Sequence, residues 1–149
     1  LTMNADKPLR FTAFVTHAWG ELFDDFMETL EAALDVEEVI FDCGFCLGHA
    51  EAGEQPPSRE EDPAAAALRC AEKLVVAVDS GSGVFGRLWC LREICKAREW
   101  NVPTFVWPHR GSDIVRLEDA VSALDVHVCR ASEAVGARGA REDLLASLR

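Results

Sequence analysis

Short apolar segments alternate with amphipathic segments along the whole chain, and this alternation restricts the fold more than any other feature. Apolar or β-branched runs of strand length occur at residues 11–17, 36–42, 74–78, 102–107 and 126–129. Helical spacing and helix-forming residues predict helices at about 22–34, 63–71, 87–100, 113–124 and 142–148. Strands that are apolar throughout are typically buried on both faces, so we expect a parallel sheet with helices on both sides.

The order of these elements predicts an α/β domain of the flavodoxin-like, three-layer type. Right-handed crossovers leave few topologies, and we expect a five-stranded parallel sheet in the order 2-1-3-4-5. A length of 149 residues fits one domain. Because the sequence starts at Leu1 rather than Met, we expect this single domain, residues 1–149, to be excised from a larger protein.

Charge and cysteine usage restrict the partners and the compartment. The chain has 15 basic and 26 acidic residues, and its net charge of −11 would repel the phosphates of a nucleic acid. No apolar run approaches the ~20 residues of a membrane-spanning helix. The six cysteines mostly lie within apolar runs, where a thiol packs as a small apolar group. We therefore expect a cytoplasmic domain whose partners include neither nucleic acid nor, through this segment, a membrane.

The predicted strand order also locates a binding site. In such sheets ligands bind where the strands end, beside the switch point between strands one and three. His17 and Trp19 follow the first strand, Asp42 ends the second, and Asp79 follows the third. We expect these residues to line the site, although His17 could also be a core histidine whose ring bonds a backbone carbonyl.

A carboxylate and a tryptophan share one face of the helix predicted at 87–100. Trp89 and Glu93 are four residues apart, which places both side chains on the same side. A carboxylate beside a large aromatic ring suits a site that binds a ring and stabilises a positive transition state. The alternative is a core tryptophan next to a solvated glutamate.

Three segments together resemble the TIR (Toll/interleukin-1 receptor) domain. Residues 14–20, Phe-Val-Thr-His-Ala-Trp-Gly, are similar to the first TIR box, in the Ser-His-x-Trp-Gly form of TIR-like proteins from microbes and algae. Residues 39–42, Val-Ile-Phe-Asp, fit the end of the second strand. Residues 87–94, Arg-Leu-Trp-Cys-Leu-Arg-Glu-Ile, are similar to the third box of plant TIR domains and are the most specific of the three.

The resemblance implies an NAD+ glycohydrolase, with NAD+ as substrate and no resident cofactor. In TIR domains that cleave NAD+ the glutamate of the third box is catalytic, and it corresponds to Glu93. Cleavage of the nicotinamide–ribose bond gives nicotinamide with ADP-ribose or a cyclic isomer. The resemblance further implies that Trp89 flanks the nicotinamide ribose and that Trp19 or His17 lines the pocket. Arg87 is among the groups available to the pyrophosphate.

This chain departs from the family pattern at two places. Gly48-His49 stands where related proteins carry an Asn-Gln pair, and Arg87-Leu88 stands where plant domains often carry Ser-x. Both departures affect how the substrate is positioned, and neither affects Glu93.

A non-enzymatic interaction module is the alternative function, because both classes exist on this fold. Such a module signals by self-association or by recruiting other TIR domains. Enzymatic TIR domains commonly assemble as well, so we expect a homo-oligomer in either case. A flavodoxin or response-regulator relative fits less well, because the chain lacks the acidic cluster and lysine of a phosphoacceptor site.

Two further patterns suggest chemistry less strongly. Cys43, Cys46 and His49 form a Cys-x2-Cys-x2-His sequence, but no second pair completes the four ligands of a structural zinc site, so we expect no metal. His109 and Arg110 could reach a phosphate, and a solvated loop is the simpler interpretation.

Helical spacing also predicts which side chains form the core. On the first helix we expect Leu22, Phe26 and Leu30 to be buried. On the helix at 87–100 the same spacing places four residues on one apolar stripe: Leu88, Leu91, Ile94 and Cys95.

Overall fold

Four parallel strands form a sheet in the order β2-β1-β3-β4. The computed structural model describes residues 10–42, 63–79 and 83–109. The strands are β1 (Ala13–Thr16), β2 (Ile40–Asp42), β3 (Lys73–Val78) and β4 (Thr104–Pro108). The described residues also form three α-helices and a 3-10 turn: α1 (Phe23–Ala33), α2 (Pro63–Cys70), the turn at Gly83–Gly86 and α3 (Leu88–Glu99). The α/β class, the parallel sheet and the order of the first four strands are confirmed.

Helices cover both faces of the sheet, because alternate residues of each strand point to opposite sides. One face packs Phe26 and Leu30 of α1 against a set of small and β-branched strand residues: Ala13, Val15, Val75 and Ala77. The other face packs α2, the 3-10 turn and α3 against Phe14 of β1 and against Leu74, Val76 and Val78 of β3. Strand β1 is central, since Val15 is paired with Asp42 of β2 and with Val75 of β3.

A residue in the left-handed conformation follows the end of α3, and the chain then passes directly into β4. Asn101 has φ 57°, a region that asparagine tolerates better than most other residues. The N–H of Val102 donates to the carbonyl of Ala97 at 2.8 Å, so one of the last carbonyls of the helix is satisfied. This turn places the start of β4 beside β3, where the N–H of Leu74 donates to Pro103 O at 2.8 Å.

Strand β2 is shorter than predicted. It begins at Ile40, not at residue 36, because the preceding residues form a turn in which the N–H of Glu38 donates to Asp35 O at 2.9 Å. Val36 is therefore exposed outside the sheet.

Strand β4 forms where it is predicted, but its side chains are exposed on both faces. Phe105, Val106 and Trp107 all reach solvent, which contradicts the expectation of a strand buried on both sides. The fifth strand predicted at 126–129, the helices predicted at 113–124 and 142–148, and the loop at 43–62 lie outside the described residues. No helix in the described part of the chain has the length and apolar character of a membrane-spanning helix.

The buried faces of α1 and α3 are narrower than predicted. Phe26 and Leu30 are buried, but Leu22 is 70% exposed and Phe23 61% exposed. Leu22 is the N-cap of α1, so helical spacing does not bring it onto the buried face. On α3 the expectation is wrong for Cys95, which is exposed.

Candidate functional site

The exits of β1, β2 and β3 lie at one edge of the sheet, which we call the carboxyl edge. His17 follows β1, Asp42 ends β2 and Asp79 follows β3. Because the three strands are parallel neighbours, these positions are brought to the same side of the molecule. The order β2-β1-β3 also makes β1 and β3 the switch point at which ligands bind in open parallel sheets.

At the carboxyl edge His17, Glu21 and Asp42 form a buried cluster, which we call the His17 cluster. The Nδ1 atom of His17 lies 2.6 Å from Glu21 Oε1, and its Nε2 atom lies 3.2 Å from Asp42 Oδ2. The imidazole ring stacks on Phe26 of α1, with the ring centroids 4.2 Å apart. Both ring nitrogens therefore contact carboxylates, not the backbone carbonyl that the sequence suggested as an alternative.

The two carboxylates keep His17 charged at neutral pH. Burial alone would lower the pKa of His17, but the contacts with Asp42 and Glu21 and their negative charges raise it to about 9. A protonated imidazole has two N–H donors, one for each carboxylate. The cluster consequently carries one positive and two negative charges in a place with little water.

A thiol on α3 bonds the backbone of the same histidine. Cys90 Sγ donates to the carbonyl oxygen of His17 at 3.3 Å. Burial, and then the charge of Glu93, raise the pKa of the Cys90 thiol to about 12, so the sulfur stays protonated and remains a donor. This bond connects the exit of β1 to the first turn of α3.

Glu93 is a buried carboxylate one turn further along α3. Its relative exposure is 7%, so the interpretation of a solvated glutamate is wrong. Cys90 and Glu93 are three residues apart and thus lie on neighbouring turns of one helix face. A carboxylate this deeply buried is rare among glutamates unless it is paired.

Gly83, at the start of the 3-10 turn before α3, lies close to Asp79 and to the exit of β1. Asp79 Oδ1 accepts a hydrogen bond of 2.6 Å from the N–H of Gly83, at the start of the 3-10 turn. A Cβ atom built on Gly83 would lie 3.2 Å from Asp79 Oδ2 and 3.4 Å from the Cβ of Ala18. A Cβ at Gly83 would crowd the Asp79 carboxylate, whereas the same position is at ordinary contact distance from Ala18, the residue that follows His17.

The three remaining residues expected at the site take part in two cation–π pairs, the second of which Arg92 completes. The guanidinium of Arg87, the N-cap of α3, lies 6.0 Å from the centre of the Trp19 ring. Trp19 is 44% exposed, so this pair is open to solvent. Trp89 is half-buried against the core, with Arg92 over its ring at 5.5 Å. The pair of Arg87 and Trp19 spans the loop after β1 and the start of α3.

No protein-family model, curated protein or solved structure matches this chain. The geometry of the site is therefore the basis for a functional assignment.

Two members of the site were missed by sequence reasoning. The sequence pattern assigns no role at the site to Glu21, and it indicates only a small apolar packing role for Cys90. The spacing of four residues between His17 and Glu21 is the signal that could have found the first pair. For Cys90 only its place inside the third box pointed to the site, since a contact between β1 and α3 is not visible in a sequence.

The other candidates contribute less. His109 lies 3.9 Å from Asp25 Oδ1 and 3.7 Å from Glu28 Oε2, so its ring faces the acidic side of α1 and is not part of a solvated loop. Among residues 10–42, 63–79 and 83–109 no group of His, Cys, Asp or Glu has the arrangement of a metal site. Cys43, Cys46, His49 and Arg110 lie outside the described residues.

Proposed function

We propose that the chain is a TIR-like domain that cleaves the nicotinamide–ribose bond of NAD+, with Glu93 as the catalytic carboxylate. The observation that carries this proposal is the burial of Glu93 on α3, one turn from Cys90 and its bond to the exit of β1. The strand order β2-β1-β3-β4 supports it, because it makes the carboxyl edge a binding edge.

The segments that resemble TIR boxes contribute to one site, which also supports the proposal. His17 from the first segment contacts Asp42 from the second at 3.2 Å. Its carbonyl accepts the hydrogen bond of Cys90 from the third. In this proposal the fold continues with a fifth strand at 126–129, in the flavodoxin-like order 2-1-3-4-5. The free thiols Cys70, Cys90 and Cys95 fit a cytoplasmic location.

A carboxylate at the position of Glu93 suits the electronic demands of this reaction. The C–N bond breaks with its electron pair going to the ring nitrogen, so neutral nicotinamide leaves and the ribose becomes an oxocarbenium-like cation. Glu93 stabilises that cation and holds the ribose hydroxyls. Water then bonds to the anomeric carbon and loses a proton, which gives ADP-ribose. Capture by the adenine of the same molecule gives the cyclic isomer.

The remaining residues of the site bind the substrate. Trp19 and Trp89 offer aromatic surfaces for the nicotinamide and its ribose. Arg87 lies at the N-terminus of α3, where unpaired backbone N–H groups and a positive side chain suit the pyrophosphate. Asp79 holds the turn that leads into α3 through its bond to Gly83.

The test is nicotinamide release from NAD+ by the purified protein and by the Glu93→Gln variant. Loss of a preorganised electrostatic group costs about 2.7–4 kcal/mol, so we expect the rate to fall about 10²–10³-fold. Glu99→Gln, on the exposed end of the same helix, is the matched control and should retain full activity. Equal release by the wild-type protein and by Glu93→Gln would remove Glu93 from this role.

An interaction module is the second candidate, and an exposed apolar surface favours it. Leu22, Phe23 and Met27 form a patch at the start of α1, which we call the α1 patch, and all three side chains reach solvent. Neighbouring apolar side chains exposed in this way commonly mark contacts between proteins. Self-association, measured by sedimentation without any nicotinamide release, would favour this candidate. Other copies of the domain or other TIR domains would then be the partners.

A further inference from the structure

At the exit of β1, the single residue His17 contacts three neighbouring parts of the fold: α1 with the loop before it, the end of β2, and α3. The ring of His17 contacts Glu21 in the loop before α1 and Asp42 at the end of β2. The same ring stacks on that of Phe26 on α1. The backbone of His17 accepts the Cys90 hydrogen bond from α3.

The charges of the His17 cluster make this arrangement depend on the imidazolium. The side chains of His17 and Glu21 have exposed fractions of only 10% and 4%, and that of Asp42 has 2%. Two buried carboxylates repel each other unless a cation lies between them. Removal of the imidazolium therefore drives Glu21 and Asp42 apart and shifts the chain at residue 17.

A shift at residue 17 is transmitted to α3. Cys90 donates a hydrogen bond to the carbonyl of His17, and Ala18 lies near Gly83, where a Cβ atom built on the glycine would be 3.4 Å from the Cβ of Ala18. An α-helix moves as a stiff unit over one turn, so a displacement of Cys90 also displaces Glu93.

We propose that His17 is a positioning residue, which holds Glu93 in place through its own carbonyl group and Cys90. The His17 cluster fixes the exit of β1, and that exit fixes the first turns of α3. This inference rests on the proposed function, because it takes Glu93 as the acting carboxylate. His17 acts on the reaction without touching the substrate.

The direct test measures the attachment of α3 without any activity. Trypsin cleaves after Arg87 and Arg92, so Cys90 is the single cysteine of peptide 88–92, and Cys95 is the single cysteine of peptide 93–96. The native protein is labelled with N-ethylmaleimide at pH 7 and digested, and mass spectrometry gives the labelling rate of each thiol. The ratio of the Cys90 rate to the Cys95 rate reports the local opening of α3, with the exposed Cys95 as internal reference.

We expect His17→Gln to raise this ratio at least about tenfold, since the charged contacts with Glu21 and with Asp42 are both lost. Glu21→Gln should raise it less, because Asp42 still contacts the ring, and it serves as the second variant if His17→Gln does not fold. Glu38→Gln, which removes an ion pair with Lys73 remote from α3, is the matched control and should leave the ratio unchanged. An unchanged ratio in both cluster variants would overturn the proposal.

Kinetics distinguish positioning from substrate contact. We expect His17→Gln to lower kcat with little change in KM. The activity of the wild-type protein should fall as the pH rises above 9, and the activity of His17→Gln should show no such fall. A raised KM with unchanged kcat would overturn the proposal and make His17 a binding residue. If the wild-type protein releases no nicotinamide, the proposed function fails, and the labelling ratio still decides whether His17 holds α3.

Discussion

The carboxyl edge and the α1 patch differ in which side chains they bury. The first buries charged groups and the second exposes apolar ones, and both are unusual in a folded protein. At the carboxyl edge the carboxylates of Glu21 and Asp42 are buried, and Glu93 is buried on the neighbouring helix α3. At the α1 patch the large apolar side chains of Leu22 and Phe23 are exposed. A buried charge lowers the free energy of unfolding unless it is paired. An apolar side chain that stays exposed does not contribute the stabilisation that its burial would provide. The two regions therefore have features that folding alone does not explain.

This difference in what is buried indicates which kind of function each region supports. Buried and paired charges are held in fixed geometry, as catalysis requires. Exposed apolar residues on a helix surface have no fixed partner within the described part of the chain and suit a contact with another protein. Substitutions should therefore affect stability and activity at the carboxyl edge, and association at the α1 patch.

The largest effect on stability is expected for His17→Leu. This change leaves Glu21 and Asp42 buried without their cation, and breaking a buried ion pair in this way costs about 3–5 kcal/mol. Urea unfolding at pH 7 measures it. A loss below ~1 kcal/mol would show that water or another group compensates the two carboxylates, and would weaken the contrast between the two regions.

A pH dependence of similar size follows from the raised pKa of His17. The folded-state pKa of about 9 exceeds the ordinary value of 6.5, so the stabilisation is fully present below pH 6.5 and is lost as the pH rises through 9. The free energy of unfolding should fall by about 3 kcal/mol over that interval. Urea unfolding at pH 6, 7.5 and 9.5 measures this fall, which His17→Gln should lack. A flat profile in the wild-type protein would contradict a charged His17.

A smaller effect is expected for the ion pair at the amino end of β3. Lys73 Nζ lies 2.8 Å from Glu38 Oε1, and this contact lowers the pKa of Glu38. Both groups reach solvent, so Glu38→Gln should cost only about 0.2–1 kcal/mol. Urea unfolding in low and high salt measures it, and the cost should shrink at high salt. A cost equal to that of His17→Leu would show that burial does not distinguish the two ion pairs.

The smallest effect on stability is expected at the α1 patch. Leu22→Ser combined with Phe23→Ser should change the free energy of unfolding by no more than about 0.5 kcal/mol, because both side chains are exposed. The same variant should weaken self-association, which sedimentation at several protein concentrations measures. A large loss of stability without a change in association would mean that this patch belongs to the core.

The sequence predicts elements best where local patterns and burial agree. Residues 74–78 are apolar throughout and form the buried strand β3, and the helix predicted at 87–100 is α3 within one residue at each end. The prediction from local pattern fails where a local hydrogen bond competes with strand formation. The turn formed by Asp35 and Glu38 is such a case, and it shortens β2.

The site was predictable in its location but not in its contacts. Parallel strands bring His17 and Asp42 to one edge, so their proximity follows from the topology. The contact with Glu21 depends on the path of a loop, and the bond from Cys90 depends on how α3 packs against β1. The bond between β1 and α3 joins segments distant in sequence, and such a contact leaves no periodic signal.

The measurement that tests the central claim most directly is the analysis of NAD+ products formed in ¹⁸O-labelled water. The wild-type protein and Glu93→Gln are incubated side by side at high concentration, and mass spectrometry follows nicotinamide and ADP-ribose. We expect nicotinamide release by the wild-type protein, with ¹⁸O in any ADP-ribose formed, and almost none by Glu93→Gln. Equal nicotinamide release by both proteins, or none by the wild-type protein at any concentration, would contradict a catalytic carboxylate at the carboxyl edge.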